Sequence, residues 1–268
     1  GDVDRWIERV DAFEVPGGGH ARLGAAVHSV RAVDPGSIRR LGRWAGADGR
    51  PVHVHASEQL AENQQCQAAH GTSPIGLLDE AGVLASWCTV VHAVHVDDGD
   101  VDRLAASGAG VCACPTTERD LADGIAPTPR FSAAGVPVSL GSDSHAVVDP
   151  FEELRAVEMH ARLVTHRRGV HAPPWLLDAG TTNGHRSLGW HDAGAIAVGA
   201  RADLVTVDGG SVRTAGGGGD LPAVLFAASA ADVVEVVVDG QVVVSDGAHV
   251  SVDAARELDD AIRELMCA

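Results

Sequence analysis

The chain has 268 residues, of which 45% are hydrophobic, so it can bury one large core, or one core plus a small second domain. Its formal net charge of −17 disfavours binding to nucleic-acid phosphates and to anionic membrane surfaces. All 20 basic residues are arginine, which excludes a Schiff-base lysine, a P-loop lysine and a carbamylated lysine that bridges two metals.

Short apolar runs alternate with helical patterns in the first half of the chain. The predicted strands cover residues 24–30, 51–55, 88–96, 108–114 and 136–141, with helical patterns such as 59–69 and 98–107 between them. Buried runs of this length separated by helices are typical of βαβ units that build a parallel sheet. We therefore predict an α/β fold in which residues 1–193 form part of a (β/α)8 barrel of the TIM type; an open doubly wound sheet is the alternative.

Residues after Gly194 show a different pattern, in which short β-runs are separated by turn residues. These runs cover residues 195–198, 203–207, 233–238 and 242–245, and Asp239-Gly240 between the last two predicts a hairpin. An amphipathic stretch over residues 253–265 predicts a terminal helix. We predict a small β-sandwich half-domain over residues 194–250 and a C-terminal helix within residues 251–268.

Polar side chains follow the predicted strands at their carboxyl ends, where barrel enzymes place their active sites. His55 ends the second run and is suited to bind a metal, and Glu58, three residues later, can reach the same ion as a proton carrier. His92 lies inside an apolar run, where its ring nitrogens need partners. Each residue alone also fits a structural role, as a hydrogen-bonded core histidine or as a glutamate at the start of a helix.

Two further segments carry candidate residues. Asp143 follows a buried run that ends in glycine, and such an aspartate suits a metal ligand that also accepts a proton from water. His28 and Arg31 lie at the end of the first run, and arginine is the natural bidentate partner of a carboxylate. The structural alternatives are a helix cap for Asp143 and a surface ion pair for Arg31.

The order and spacing of these residues resemble the amidohydrolase superfamily. His55-x-x-Glu58, His92 and Ser142-Asp143 are similar to the fifth, sixth and eighth barrel strands of its mononuclear deaminase and chlorohydrolase branch. Within that branch the sequence most resembles the formimidoylglutamate deiminases of histidine degradation, in segments 28–33, 53–59, 114–118 and 141–145. The His-Ser-x-Arg and Cys-Pro-Thr-Thr-Glu segments are the more discriminating ones.

The resemblance implies hydrolytic deimination of N-formimino-L-glutamate to N-formyl-L-glutamate and ammonia, with one divalent metal, expected to be Zn²⁺. It assigns metal binding to His55 and Asp143, catalysis to Glu58, His92 and Asp143, and substrate binding to His28 and Arg31. The expected partner is a small-molecule substrate that bears carboxylates, with no nucleic acid and no membrane; a homodimer is left open.

The sequence departs from the family at the metal site. The family's first barrel strand carries a His-x-His pair that binds the metal, and few residues precede the strand of His28 here. We therefore expect barrel strands one to three to be missing, and with them half of the metal ligands. His53-x-His55 is the alternative location of the pair, but too little chain follows it for seven more strands. Two ligands should hold zinc weakly, which argues against full activity of this chain alone.

Two other functions fit the same residues. One is a deaminase or chlorohydrolase of the same branch that acts on a purine, pyrimidine or triazine. A neutral heterocycle of this kind has no carboxylate for Arg31 to bind, so this residue discriminates between the substrates. The other is a non-catalytic fragment that needs a complementing chain.

The cysteines and the N-terminus bear on the compartment. The five cysteines are odd in number and include no Cys-x-x-Cys pair, so neither a disulfide framework nor a zinc ribbon is expected. The N-terminal residues are charged and show no secretory signal, and no stretch approaches about 20 uninterrupted apolar residues. We therefore expect a cytoplasmic protein with free thiols.

Overall fold

The computed structural model describes residues 2–15, 19–144 and 147–267. His145, which belongs to one of the segments that carry the family resemblance, lies outside the described residues. The chain divides into two compact units, of which the first ends at His191 and the second begins at Asp192. None of the helices that the structure describes combines the length and the hydropathy that crossing a membrane requires.

The first unit contains a parallel sheet whose five strands are neighbours in the order in which they occur along the chain. The strands are β1 (Ala25–Ser29), β2 (Val52–Ala56), β3 (Cys88–His92), β4 (Gly110–Ala113) and β5 (Val138–Leu140). Parallel strands in sequence order with helices between them form an arc of a (β/α)8 barrel. The predicted α/β fold with a partial barrel is confirmed.

Helices connect and flank these strands. They are α1 (Val3–Asp11), α2 (Pro35–Asp48), α3 (Leu60–His70), α4 (Pro74–Glu80), α5 (Asp98–Ser107), α6 (Pro115–Asp120), α7 (Thr128–Ala134), α8 (Pro150–Thr165), α9 (Pro173–Gly180) and α10 (Thr182–Ser187). The limits of α2 follow from its end residues. Asp34 accepts the N–H of Ser37 at 3.0 Å, Pro35 occupies the first turn, and Gly49 ends the helix with a left-handed φ of 62°.

Strand alternation separates the core of this unit from the face that carries the polar residues. In β2, the side chains of Val52, Val54 and Ala56 are buried, whereas those of His53 and His55 are half-buried on the opposite face. The largest apolar side chains of the core are completely buried and come from the helices: Ile38, Ile75, Leu78, Leu104 and Phe131. Packing between strands and helices therefore fixes which face of the sheet presents histidine.

The second unit is built on a four-stranded antiparallel sheet of order β6-β7-β8-β9. Its elements are β6 (Leu204–Val207), α11 (Leu221–Ala227), a 3₁₀-helix (Ala230–Asp232), β7 (Val233–Val238), β8 (Gln241–Ser245), β9 (Ala248–His249) and α12 (Ala254–Cys267). Asp239 and Gly240 form the hairpin turn between β7 and β8, with φ values of 47° and 78°. Two left-handed residues are what a two-residue type I′ turn requires.

The strand predicted over residues 195–198 does not form. Ile196 and Val198 are 91% and 109% exposed, and the flanking Gly194 and Gly199 have left-handed φ values of 86° and 89°. Neither sheet of the described residues includes this run. A β-run without a partner strand has no ladder of hydrogen bonds to hold it extended, so apolar composition alone was misleading here.

Candidate active site

The predicted site residues lie at one edge of the parallel sheet, at the carboxyl ends of its strands. His28 belongs to β1, His55 to β2 and His92 to β3, while Asp143 follows β5. Because the strands are parallel neighbours, their carboxyl ends meet on the same side of the sheet. The fold thus gathers residues that are far apart in the sequence.

His55, His92 and Asp143 each offer one donor atom to a common group, and these atoms lie within 4.8 Å of one another. Nδ1 of His55 contacts the carbonyl oxygen of His28 at 2.7 Å, so this nitrogen carries the ring hydrogen and Nε2 keeps a free lone pair. Histidines that bind zinc usually donate their other N–H in this way. Imidazole nitrogens and carboxylate oxygens are donors that zinc accepts, so the group fits a divalent ion.

Glu58 lies between a cation and an imidazole. Its Oε1 is 3.7 Å from Nε2 of His92, and its Oε2 is 3.9 Å from Nη2 of Arg31. Glu62 holds the turn in place, because its buried carboxylate accepts the N–H of Glu58 at 3.1 Å. Burial raises the pKa of Glu62. The Glu58 side chain itself is 13% exposed, so its carboxylate can touch a bound molecule while most of it is shielded from water.

His28 and Arg31 extend the candidate site from His55, His92 and Asp143 towards solvent. The ring of His28 lies 5.5 Å from that of His55, and its Nδ1 contacts the hydroxyl of Ser29 at 3.1 Å. The Arg31 side chain is 36% exposed, so its guanidinium is available to a ligand. All the predicted site residues therefore belong to one continuous cluster; their individual roles stay predictions.

Three carboxylates surround the ring of His92. Its Nε2 lies 3.7 Å from Glu58 and 3.9 Å from Oδ2 of Asp143, and its Nδ1 lies 3.4 Å from Oε1 of Glu118. Burial by itself lowers the pKa of His92, but the hydrogen bond to Glu118 and the charges of the three carboxylates outweigh it. The pKa of His92 therefore lies above its usual value.

His92 reaches the site because the chain turns sharply at the end of β3. In the ladder His92 pairs with Ala56, whose side chain is buried on the outer face, so simple alternation would turn His92 outward. Instead, His92 and Ala93 have left-handed φ values of 73° and 49°, and the strand ends at His92 rather than running to residue 96 as predicted. Such strained conformations concentrate at functional sites.

The rings of His53 and His95 lie near the cluster but contact backbone carbonyl oxygens instead of its members. Nε2 of His53 contacts the carbonyl oxygen of Ser187 at 2.8 Å, and Nε2 of His95 contacts that of Asp123 at 2.7 Å. His53 shares a face of β2 with His55 but points its ring at a different partner. The alternative in which His53-x-His55 forms the metal-binding pair is therefore not supported.

Comparison with known proteins identifies the family of this chain. A sequence model of the amidohydrolase family matches residues 3–243. The chain belongs to the amidohydrolase family. It is 38% identical over 253 residues to a formimidoylglutamate deiminase from Pseudomonas aeruginosa, an alignment that covers 90% of this chain and 55% of that protein.

Other amidohydrolases and related deaminases are also similar. The chain is 34% identical to a 5-methylthioadenosine/S-adenosylhomocysteine deaminase from Natronomonas pharaonis, over 87% of this chain and 55% of that protein. It superposes on the zinc-bound crystal structure of an adenosine deaminase from Xanthomonas campestris with a TM-score of 0.84 and 27% identity, covering 90% of this chain and 56% of that one. The chain therefore spans about half the length of these relatives.

The candidate site also includes the turn at the start of α6, which was not among the predicted site residues. In α6, Oγ1 of Thr117 accepts the N–H of Ser144 at 3.1 Å and donates to the carbonyl oxygen of Ser142 at 3.3 Å, which holds the Asp143 loop. The next residue, Glu118, contacts His92. A signal was available, because this turn belongs to the Cys-Pro-Thr-Thr-Glu segment that distinguishes the resemblance.

Proposed function

We propose that this amidohydrolase hydrolyses N-formimino-L-glutamate to N-formyl-L-glutamate and ammonia, with one divalent metal, zinc, as its cofactor. The observation that carries the proposal is the position of Arg31, whose guanidinium lies 3.9 Å from Glu58 beside the candidate metal group. The substrate is an anion, and an acidic chain needs a local cation to bind it. The 38% identity to a formimidoylglutamate deiminase supports the same substrate.

His55 and Asp143 hold the metal in this proposal, with His92 beside them. Zinc in such a site supplies a Lewis acid that lowers the pKa of a bound water to about 7. The presence of zinc in the similar adenosine deaminase structure supports this choice of ion.

The remaining steps use side chains of this chain. Asp143 accepts a proton from the attacking water, whose oxygen forms a bond to the formimino carbon. Glu58 protonates the imino nitrogen, regains the proton that Asp143 took from the water, and passes it to the leaving amine. Asp143 then accepts the hydroxyl proton as the carbonyl forms, so that the C–N bond breaks and ammonia departs. His92 stabilises the charge that develops in the tetrahedral intermediate. Arg31, with His28 close to it along the strand end, binds a substrate carboxylate.

A second candidate function is the deamination of a purine nucleoside. It is favoured by the 34% identity to a 5-methylthioadenosine/S-adenosylhomocysteine deaminase. The two functions differ in how much Arg31 should contribute to substrate binding. Methylthioadenosine has no carboxylate, so a guanidinium at this position contributes little to its binding, whereas N-formimino-L-glutamate offers two carboxylates. S-Adenosylhomocysteine carries one carboxylate, so it is separated from N-formimino-L-glutamate by direct comparison of ammonia release from the two compounds.

Ammonia release by the zinc-loaded chain separates these functions. Arg31→Ala should raise KM for N-formimino-L-glutamate by about tenfold or more, since a hydrogen bond to a charged group contributes about 1.5–3 kcal/mol. Arg31→Lys keeps the charge but loses the bidentate geometry, so it should raise KM less. Arg40→Ala is the matched control, because Arg40 forms a surface pair with Asp4 at 2.7 Å.

Two results would refute the proposal: an unchanged KM in Arg31→Ala, or ammonia released from methylthioadenosine or S-adenosylhomocysteine but not from N-formimino-L-glutamate. Calorimetric titration of the zinc-loaded chain with N-formimino-L-glutamate provides the same comparison of variants through binding, so the test does not depend on rapid turnover.

A further inference from the structure

Glu118 is a buried carboxylate that the proposed mechanism does not use. Its side chain is 1% exposed, and its Oε1 accepts the backbone N–H of Cys114 at 2.8 Å. The same oxygen lies 3.4 Å from Nδ1 of His92, whose side chain is also 1% exposed. A carboxylate this deep in a protein requires hydrogen-bond donors, so the contact with His92 is part of what keeps it there.

The geometry determines which of the two groups provides the hydrogen. An oxygen that already accepts a backbone N–H presents a lone pair to its other neighbour, so the hydrogen between Glu118 and His92 comes from the ring and sits on Nδ1. On the other side of the ring, Nε2 faces Glu58 and Asp143 at 3.7 and 3.9 Å, beyond hydrogen-bond distance. The single hydrogen of a neutral imidazole therefore has its better acceptor at Nδ1.

The position of Glu118 is fixed by hydrogen bonds that join α6, the helix that carries it, to α8. Thr116, two residues earlier, donates its N–H to Oε2 of Glu153 in α8 at 3.1 Å, and its hydroxyl donates to the other oxygen of that carboxylate. Glu153 is itself buried, and burial raises its pKa. Two helices are thereby joined beneath the site, and Glu118 is held against His92.

We propose that Glu118 is a positioning residue that keeps the neutral imidazole of His92 in its Nδ1–H tautomer and directs Nε2 towards Glu58 and Asp143. Nε2 is then the ring atom without a hydrogen, and its lone pair faces the candidate site. The inference rests on the proposed function only for the use of His92 in catalysis. The tautomer itself can be measured without metal and without substrate.

The tautomer is read from the ¹⁵N chemical shifts of the imidazole ring, because a nitrogen that bears hydrogen differs in shift from one that does not. The signals of His92 are identified among the 14 histidines by their loss in His92→Gln. In the ¹⁵N-labelled, metal-free chain, at a pH high enough for the ring to be neutral, we expect Nδ1 to bear the hydrogen and Nε2 to lack it.

Three variants test the cause. Glu118→Met removes the acceptor at similar volume, so the hydrogen should move to Nε2, where Glu58 and Asp143 are the nearby acceptors. Glu118→Gln should retain the Nδ1–H form, because its amide oxygen must still accept the N–H of Cys114 and so still faces the ring. Glu158→Gln is the matched control: it alters an equally buried carboxylate that accepts the N–H of His171 and has no contact with Glu118 or His92, and it should leave the tautomer unchanged.

An Nε2–H ring in the unmodified chain, or an Nδ1–H ring retained in Glu118→Met, overturns the inference. Near-ultraviolet circular dichroism shows whether Glu118→Met folds. If it does not fold, the unmodified chain and Glu118→Gln still test the inference, since an Nε2–H ring of His92 in either protein contradicts it. Absence of ammonia release from a chain with the expected tautomer counts against the proposed function and leaves the positioning role standing.

Discussion

Gly141 lies directly against Cys114: a β-carbon added at Gly141 would sit 3.0 Å from the sulfur of Cys114 and 3.1 Å from that of Cys112. Both thiols belong to the segment of β4 that leads into α6, so they cannot move aside without shifting that segment. We predict that Gly141→Ala lowers the free energy of unfolding by about 1–3 kcal/mol, as overpacking of a core does. Urea denaturation followed by tryptophan fluorescence measures the change.

Gly184 provides the control for that substitution. It lies in α10, and a β-carbon there would meet only the carbonyl oxygen of Ala179, at 3.9 Å. Alanine in a helix is favoured over glycine by about 0.5–1 kcal/mol, so Gly184→Ala should be neutral or stabilising. Equal losses of stability in the two variants would show that contact with the thiols is not the cause.

Removal of a candidate ligand should weaken metal binding much more than removal of its neighbour in the strand. His55→Ala and Asp143→Ala should each lower the affinity for zinc by more than about tenfold, since even outer partners of metal ligands contribute 10–100-fold. His53→Ala is the matched control, because His53 lies two residues away on the same face and binds Ser187. Zinc affinity is measured by competition with a chromogenic chelator, and a similar loss in His53→Ala would contradict the assignment.

An ion pair between the exposed Arg213 and the buried Asp232 in the second unit should make stability depend on acid pH. Arg213 donates to both oxygens of Asp232, at 2.8 and 2.7 Å, and these bonds hold the pKa of Asp232 well below its usual value of 3.8. A carboxylate whose pKa is depressed on folding stabilises the protein above its unfolded pKa, and this stabilisation is lost as the pH falls towards the lower folded value.

We therefore predict that Asp232→Asn is less stable than the unmodified chain at pH 7 and that this deficit shrinks below about pH 4. Urea unfolding of both proteins at pH 7 and at pH 3 measures it. Asp253→Asn, at an exposed pair with Arg256, should show no deficit at either pH. A deficit of the same size at both values would rule out the charge of Asp232 as its source.

The cysteines should differ sharply in reactivity. Burial raises the pKa of Cys66 to about 11 and that of Cys88 to about 12, whereas Cys267 is exposed at the end of α12. Because the thiolate is the reactive form, Cys267 should react first with Ellman's reagent at pH 8, and Cys66 and Cys88 only after unfolding. Cys267→Ser should abolish the fast phase, and its persistence would contradict the prediction.

Strand alternation and parallel pairing made much of the fold and several site residues predictable. Because side chains alternate along a strand, the apolar positions of Val52 and Val54 predict that His55 turns to the other face. Because parallel strands end at one edge of a sheet, Asp143 is expected to lie near His55, although strands 88–92 and 110–113 separate the two residues in the sequence. These inferences need only local periodicity and the topology of the sheet.

The remaining features depend on contacts that local sequence does not record. His92 reaches the site through a left-handed conformation that no glycine signals, so alternation alone would place it on the wrong face. Glu118 meets His92 from 26 residues away, and only the pairing of β3 with β4 brings the two together. The run 195–198 has strand-like composition, but no strand of the described residues pairs with it to satisfy its backbone hydrogen bonds.

The left-handed backbone at the site suggests where this protein has room for improved heat resistance. Ser57, His92 and Asp143 have φ values of 55°, 73° and 40°, and each such residue costs about 1–2 kcal/mol relative to glycine. Glycine in place of His92 or Asp143 would remove a side chain of the candidate site. Ser57 carries no assigned role, and its buried hydroxyl has no hydrogen-bond partner among the described residues. Glycine at that one position would relieve both penalties and leave every donor of the site in place.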